Sequence, residues 1–328
     1  MRAILIKAYG QADQLQLDEV PTPSPKPGEA LVQQCFAGVN FIDVYMRDGT
    51  YKRSDTYAQQ PPMVIGMEGA GIIEAVGEGV SQLAPGTAVA YCIEIGSYAE
   101  YASVPAWKLI PVPENVPLEI ATALQLQGAT AHYLSHSLFK LEQDHRCLIH
   151  AGAGGLGQLL VQLAKARGAE VFTTVGSLEK AEIAKARGAD HVILYREVDF
   201  AEAVLEITKG EGVHVVYDSV GRETLQGSIK ACARRGVVSN NGNSSGPVGF
   251  VDPLNLAEAG SIFFTRPHLA DYMRTAEERR KRASELFDFY TSGKLSVVID
   301  RILPLEAAQE SHKLLEGRQS KGKILLSV

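Results

Sequence analysis

Residues 146–176 read RCLIHAGAGGLGQLLVQLAKARGAEVFTTVG, and this stretch constrains the fold more than any other. Leu148 and Ile149 lie in an apolar strand, followed by the turn Gly152-Ala153-Gly154-Gly155-Leu156-Gly157. Leu156, Leu159, Leu160 and Leu163 then recur at helical spacing, Gly168 closes the helix, and a second apolar strand covers 170–175. Strand, G-x-G-x-x-G turn, helix and strand together open a dinucleotide-binding βαβ unit. The glycines let the chain turn tightly, let the backbone approach a pyrophosphate, and let the helix lie close on the sheet. The phosphates then face N–H groups at the positive end of the helix.

The end of the second strand indicates which nucleotide. NAD-binding versions carry an acidic residue there to hold the ribose hydroxyls. Here the strand ends Thr173-Thr174-Val175-Gly176-Ser177 with no carboxylate, and Lys180 follows one turn into the next helix. Ser177 and Lys180 can bond to a 2′-phosphate that an acid would repel, so NADP(H) is expected. Taken alone, Lys180 reads equally well as a solvated helix residue.

At 328 residues the chain exceeds what one core usually serves, so two domains are expected. A net charge of −6, from 32 basic and 38 acidic residues, argues against a binder of phosphate backbones. The one basic run, Arg279-Arg280-Lys281-Arg282, follows Glu277-Glu278 on a helical pattern and reads as a solvated face. Cys35, Cys92, Cys147 and Cys232 are scattered through apolar segments without a C-x-x-C pair, as reduced core cysteines are. No apolar run reaches the ~18 residues of a membrane span, and residues 1–7 are too short for a secretory signal. A soluble, cytoplasmic protein is expected.

The first third is rich in strands, predicted over 3–7, 15–19, 30–37, 69–76 and 87–92, with turns such as Pro25-Lys26-Pro27-Gly28 and Pro85-Gly86 between them. That pattern suits a barrel-like β domain. After a helical stretch over 118–140, strands predicted at 147–150, 170–175, 191–195, 213–218, 236–240 and 261–265 alternate with helices. One of those helices is predicted over 224–235, with Leu225, Ile229 and Cys232 on one face. The alternation predicts a doubly wound parallel sheet. The tail, 283–328, carries two helices and strands at 299–303 and 323–326, and is expected to return to the first domain.

Two patterns point elsewhere and are set aside. Gly242-Asn243-Ser244-Ser245-Gly246 matches the G-x-S-x-G of hydrolases, but Pro247-Val248-Gly249 follows where that motif requires a helix. A polar loop contacting the cofactor is the better account. His132 and His136 are four apart on a helix without the intervening acid of H-E-x-x-H, and read as one helix face rather than a metal site.

The combination resembles the medium-chain dehydrogenase/reductase superfamily, in its zinc-free quinone oxidoreductase (zeta-crystallin-like) branch. Its markers are Gly38-Val39-Asn40-Phe41-Ile42-Asp43-Val44-Tyr45, Gly66-Met67-Glu68-Gly69-Ala70-Gly71, the glycine turn, Tyr217-Asp218-Ser219-Val220-Gly221, Gly242 to Gly246, and Thr265-Arg266-Pro267. The resemblance implies a GroES-like catalytic domain over 1–124 and 267–328, discontinuous around a Rossmann NADP-binding domain over 125–266. It also implies a homodimer formed by pairing the edges of two Rossmann sheets. The zinc alcohol dehydrogenases of this superfamily place a cysteine ligand where Asn40 stands and a histidine where Met67 stands. Amide and thioether are not usual zinc ligands. Without that Lewis acid, an electron-poor quinone or enone is a better substrate than an alcohol.

By resemblance, Asn40, Phe41, Asp43, Tyr45 and Thr130 line the nicotinamide side, and Gly154, Gly155 and Leu156 meet the pyrophosphate. Gly176, Ser177, Lys180 and Tyr195 surround the adenosine phosphate. Ser219, Asn241, Gly242, Asn243, Ser244, Phe264, Thr265 and Arg266 close over the cofactor. Tyr45 and Tyr51 are candidate proton donors, because a phenol with an ordinary pKa near ~10 keeps its proton at neutral pH. Asn40 is grouped with them as a catalytic residue. Both tyrosines also read as aromatic walls. The expected activity is NADPH:quinone reduction. The alternatives are an NADPH-dependent alkenal or enoyl (C=C) reductase and a non-catalytic crystallin-like or RNA-binding protein that holds NADPH.

Overall fold

Proline and glycine punctuate the first third into short strands, and the computed structural model, which describes residues 1–57 and 59–328, shows them paired. In chain order they are β1 (Arg2–Ile6), β2 (Gln16–Glu19), β3 (Glu29–Val39), helix α1 (Phe41–Asp48), β4 (Met63–Val64), β5 (Glu68–Val76), β6 (Ala88–Cys92), β7 (Tyr101–Pro105) and β8 (Ile110–Pro111). Next come α2 (Leu118–Ala123) and α3 (Ala129–Tyr133), each followed by a π turn, Leu124–Gly128 and Leu134–Leu138. The stretch is helical as its periodicity predicts, but the two wider turns leave no mark in the sequence.

The alternating part follows: β9 (Arg146–His150), α4 (Gly155–Ala166), β10 (Glu170–Val175), α5 (Leu178–Ala186), β11 (His191–Leu194), α6 (Phe200–Ile207), β12 (Val213–Asp218), α7 (Leu225–Ala231), β13 (Cys232–Asn240), α8 (Pro253–Glu258) and β14 (Phe263–Thr265). The tail is α9 (Ala276–Thr291), β15 (Ile299–Pro304), α10 (Ala308–Glu316) and β16 (Lys323–Ser327).

Two compact units result. The first comprises Met1–Ala129, Tyr272–Gly293 and Val297–Val328, and the second Thr130–Asp271 with Lys294–Ser296. In the first unit, seven strands run β15-β16-β3-β5-β6-β8 with β7 also on β3, and a smaller sheet runs β2-β1-β4. Ala30, Val32, Ile73, Val89, Tyr91 and Val104 form its apolar interior. In the second unit, six strands run β11-β10-β9-β12-β13-β14, every pair parallel. Leu148, Phe172, Val216, Val238, Leu225 and Ile229 pack beneath this sheet. Among the described residues no helix is long and apolar enough to cross a membrane.

Two local expectations are corrected. The helix predicted over 224–235 stops at Ala231, and Cys232 opens β13, paired with Val213. Pairing along β12 prevails over the helix propensity of Ala231-Cys232-Ala233. The basic run is not a uniformly solvated face, since Arg279 and Arg282 are 2% and 8% exposed. Arg279 donates to the carbonyls of Met273 and Cys92 at 3.0 and 2.9 Å and lies 4.9 Å from the Trp107 ring centroid. Arg282 donates to the carbonyl of Tyr272 at 2.9 Å.

Candidate functional site

In the second unit the chain builds outward from β9 to β11 on one side and from β12 to β14 on the other. The order reverses between β9 and β12, and ligands of open parallel sheets bind outside the strand ends at such a reversal. The glycine turn leaves β9 there. Ala151 adopts a left-handed φ of 57°, and Gly154 N donates to Ala151 O at 2.9 Å. A Cβ on Gly152 would stand 2.0 Å from Thr173 Oγ1, and one on Gly157 would stand 2.2 Å from Ala151 O. Only glycine lets α4 start this close to the strand. Gly154 precedes the first turn of α4, which contains no acid. Its N–H groups are therefore available to an anion.

The ends of β10 and β11 form the next stretch of rim. Ser177 caps α5 by accepting from Lys180 N at 3.3 Å, which leaves its hydroxyl hydrogen to donate elsewhere. The Tyr195 hydroxyl comes within 3.0 Å of where a side chain on Gly176 would begin. No carboxylate stands between Thr173 and Ser177.

After β12 and β13 two loops brace each other. Gly242 N donates to Asp218 O at 3.2 Å, Ser244 N to Ser219 O at 3.3 Å, and Ser245 N to Val220 O at 2.9 Å. Asp218, fully buried, holds the lower loop, accepting from the backbone of Val220 and Gly221 at 2.9 Å and from Thr224 and Ser228 at 2.8 Å. No helix follows Ser244 until α8, so the hydrolase geometry is absent. Among the described residues, Asn241 Oδ1 is buried without a hydrogen-bond partner. Phe264, Thr265 and Arg266 stand half-buried at the end of β14. The sheet thus gathers Gly154 to Leu156, Gly176, Ser177, Lys180, Tyr195, Ser219, Asn241 to Ser244, and Phe264 to Arg266 at its carboxyl ends.

In the first unit, Asn40 caps α1 directly after β3 and is 2% exposed. Its amide nitrogen donates to Gly38 O at 3.1 Å and Glu68 Oε2 at 2.8 Å, while its oxygen accepts from Lys323 Nζ at 2.7 Å. Both amide hydrogens are therefore engaged inside the protein. Lys323 also donates to Glu68 Oε2 at 2.5 Å, and Leu126 N in the first π turn donates to Glu68 Oε1 at 2.6 Å. Gly38 makes room for this group, since a Cβ there would lie 1.9 Å from Glu68 Oε2. Asp43 accepts from Asn40 N at 2.8 Å and Met67 N at 2.9 Å. Burial pushes its carboxyl up to about 7, opposed by the Asn40 N–H and the Lys323 charge.

Tyr45 is 7% exposed on α1, and its ring meets Tyr51 edge-on at 5.4 Å. Tyr51 stacks on Tyr57 at 5.1 Å, and Phe41 lies 6.0 Å from Tyr45. Phe41, Tyr45, Tyr51 and Tyr57 thus form an aromatic row, of which Tyr57 was not foreseen. Thr130, half-buried, opens the second unit on α3. His132 and His136 stack face to face at 4.3 Å, and no group of three potential ligands among the described residues could hold a metal ion. Sequence reasoning named Glu68 only as part of a motif and missed Lys323, whose partners lie more than 250 residues away.

These two units define a dehydrogenase-type oxidoreductase built from a GroES-like domain and a Rossmann sheet. Residues 26–114 match the alcohol dehydrogenase GroES-like domain family, and residues 155–291 match the zinc-binding dehydrogenase family. The chain is 39% identical to 2-haloacrylate reductase of a Burkholderia species, over 99% of this chain and 98% of that one. It is 39% identical to quinone oxidoreductase 1 of Escherichia coli strain K12 over 97% of both chains. The structure of Escherichia coli quinone oxidoreductase complexed with NADPH superposes with a TM-score of 0.96, at 38% identity and full coverage of both chains. The protein belongs to the medium-chain dehydrogenase/reductase superfamily, in its quinone oxidoreductase branch.

Proposed function

We propose that the protein is an NADPH-dependent, metal-independent reductase of quinones and related conjugated carbonyls. The observation that carries this reading is the Lys323 ammonium on Asn40 and Glu68. Where the zinc enzymes of the superfamily hold a ligand to their metal, this chain places an amide already bound to a fixed cation. A second cation beside Lys323 would meet repulsion, and Met67 offers only a thioether. The residues do not fit a catalytic zinc. An acceptor that is already electron-poor then suits the site best.

The second unit fits NADPH. The start of α4 offers N–H groups to a pyrophosphate, Ser177 and Lys180 suit a 2′-phosphate, and the orphaned Asn241 oxygen can take a donor from a ligand. When bound, NADPH supplies the hydride. Charge arriving on the acceptor oxygen needs donors. Asn40 has no hydrogen to offer, so Tyr45 and Tyr51 take that role and Asn40 shapes the start of α1. We also propose a homodimer built on β14, which among the described residues is an edge strand paired only with β13. Phe263 on that strand is 63% exposed, and Phe250 and Leu254 are 81% and 63% exposed. In sedimentation, Phe263→Asp should then yield monomers.

The relation to 2-haloacrylate reductase supports a second reading, reduction of an activated C=C bond. Following NADPH loss with 1,4-benzoquinone, 9,10-phenanthrenequinone, an enal, an enoyl thioester and 2-chloroacrylate separates the two. Turnover of the quinones above all others supports the first reading. Turnover of enal, thioester or chloroacrylate alone replaces it with the second, and no NADPH loss with any of them overturns both.

A further inference from the structure

The first unit holds a second buried group that the hydride step as described does not use. Arg47, on α1, is fully buried and donates through two nitrogens to Glu316 at 2.9 and 2.8 Å. The same guanidinium lies 3.1 Å from His312 Nδ1. His312 Nε2 lies 3.2 Å from the Tyr98 hydroxyl, which donates to Asp43 Oδ2 at 3.3 Å. Tyr98 and His312 are also fully buried.

The direction of every bond in this series is fixed by its first member. A guanidinium can only donate, so His312 Nδ1 accepts and Nε2 carries the hydrogen. That hydrogen points to the Tyr98 oxygen, and the Tyr98 hydrogen is thereby sent to Asp43. Asp43 then receives three donors: Tyr98 Oη, Asn40 N and Met67 N. The two backbone donors are the residue that caps α1 and the residue preceding β5. Lys323 and Glu68 are the other charges facing Asp43, and they neutralise each other. Burial drives His312 down to about 3, so it stays neutral as this arrangement requires.

We propose that Arg47, His312 and Tyr98 form a one-way hydrogen-bond chain that fixes Asp43, and with it the start of α1 that carries Tyr45, in place for the hydride step. They are positioning residues. The inference rests on the reductase reading for its kinetic consequence and on the chain polarity alone for its structural one.

Imidazole nitrogen NMR of the whole protein reads the polarity. The Nε2–H tautomer of His312 is expected, and an Nδ1–H tautomer overturns the proposal. Three variants read the consequence through kcat and KM with NADPH and 1,4-benzoquinone, with hydrogen exchange of the Asn40 and Met67 amides measured beside them. Tyr98→Phe removes the last donor. His312→Glu accepts at both ends and turns the Tyr98 hydrogen away from Asp43. His312→Gln accepts from Arg47 and donates to Tyr98, restoring the direction. The first two should lower kcat roughly 10-fold or more, leave the NADPH KM within about 2-fold and speed exchange of both amides, with His312→Gln close to the parent. Equal losses in all three, or parental kcat in Tyr98→Phe and His312→Glu, overturn the proposal. Tyr98→Phe keeps the ring and decides the matter if the His312→Glu protein fails to fold. If the parent reduces no quinone, the quinone reading falls, while tautomer and amide exchange still decide the chain.

Discussion

Lys323 donates to the side-chain oxygen of Asn40 at 2.7 Å, joining β16 to the residue that caps α1 across 283 positions of sequence. The contact sets a lysine side chain on the residue that, by resemblance to the superfamily, stands where its zinc enzymes carry a cysteine ligand. The purified protein should therefore contain far less than one zinc per chain by elemental analysis, and should keep its activity after dialysis against a strong chelator. One tightly held zinc per chain would overturn the reading of Asn40 and with it the choice of acceptor.

The ion pair that Lys323 makes with Glu68 sets a stability prediction. Removing one partner of a buried ion pair costs about 3–5 kcal/mol, because the other charge is left unmatched. Lys323→Met should lose that much in urea unfolding, and Lys323→Met with Glu68→Gln should regain most of it. A double variant no more stable than the single one would show that the loss is one of packing.

In the function proposed above, Lys180 meets the 2′-phosphate of NADPH. A charge-assisted hydrogen bond contributes about 1.5–3 kcal/mol, so Lys180→Ala should weaken NADPH roughly 10- to 150-fold and leave NADH almost unchanged. Binding titrations with both nucleotides check this, and equal losses would show that Lys180 does not read the phosphate.

Tyr45 and Tyr51 touch ring to ring, and a phenylalanine at either position keeps that contact while removing the hydroxyl. If one of them donates to the acceptor oxygen, its Phe variant should slow single-turnover hydride transfer by about 10²-fold with NADPH affinity little changed. Parental rates in both variants would leave solvent as the acid.

His312 should leave a signature in acid. Its folded-state value is about 3 against an ordinary 6.5, so the unfolded chain binds more protons between those values. The stability it contributes is present above about 6.5 and is lost as pH falls toward 3. Urea unfolding of the parent and of His312→Gln across pH 4–8 should converge at low pH, the variant showing the shallower fall. Parallel curves would mean that His312 takes up its proton over the same pH range in the folded and unfolded chain.

Much of this was legible beforehand. Apolar strands, the glycine turn and the missing acid after Val175 depend on neighbours in sequence, and the second unit follows them closely. The first unit's polar interior does not. Nothing near Lys323 shows that it meets Glu68, and nothing near His312 shows that it lies between Arg47 and Tyr98. Arg279 and Arg282 looked solvated for the same reason, since the carbonyls and ring that receive Arg279 come partly from Cys92 and Trp107. Cys232 failed in the opposite direction, its local helix preference yielding to a partner strand.

Strand β16 lies inside its sheet, between β15 and β3, and pairs with Phe36 to Val39. A ribosome therefore delivers Glu68 255 residues before the cation that neutralises it. Throughout that interval the second half of β3 has an unpaired edge of the kind that recruits other strands. The second unit, residues 130–271 with 294–296, has all of its residues by then. Translation order and closure order are thus inverted: the first unit is begun before the second and closes its sheet only when β16 joins β3.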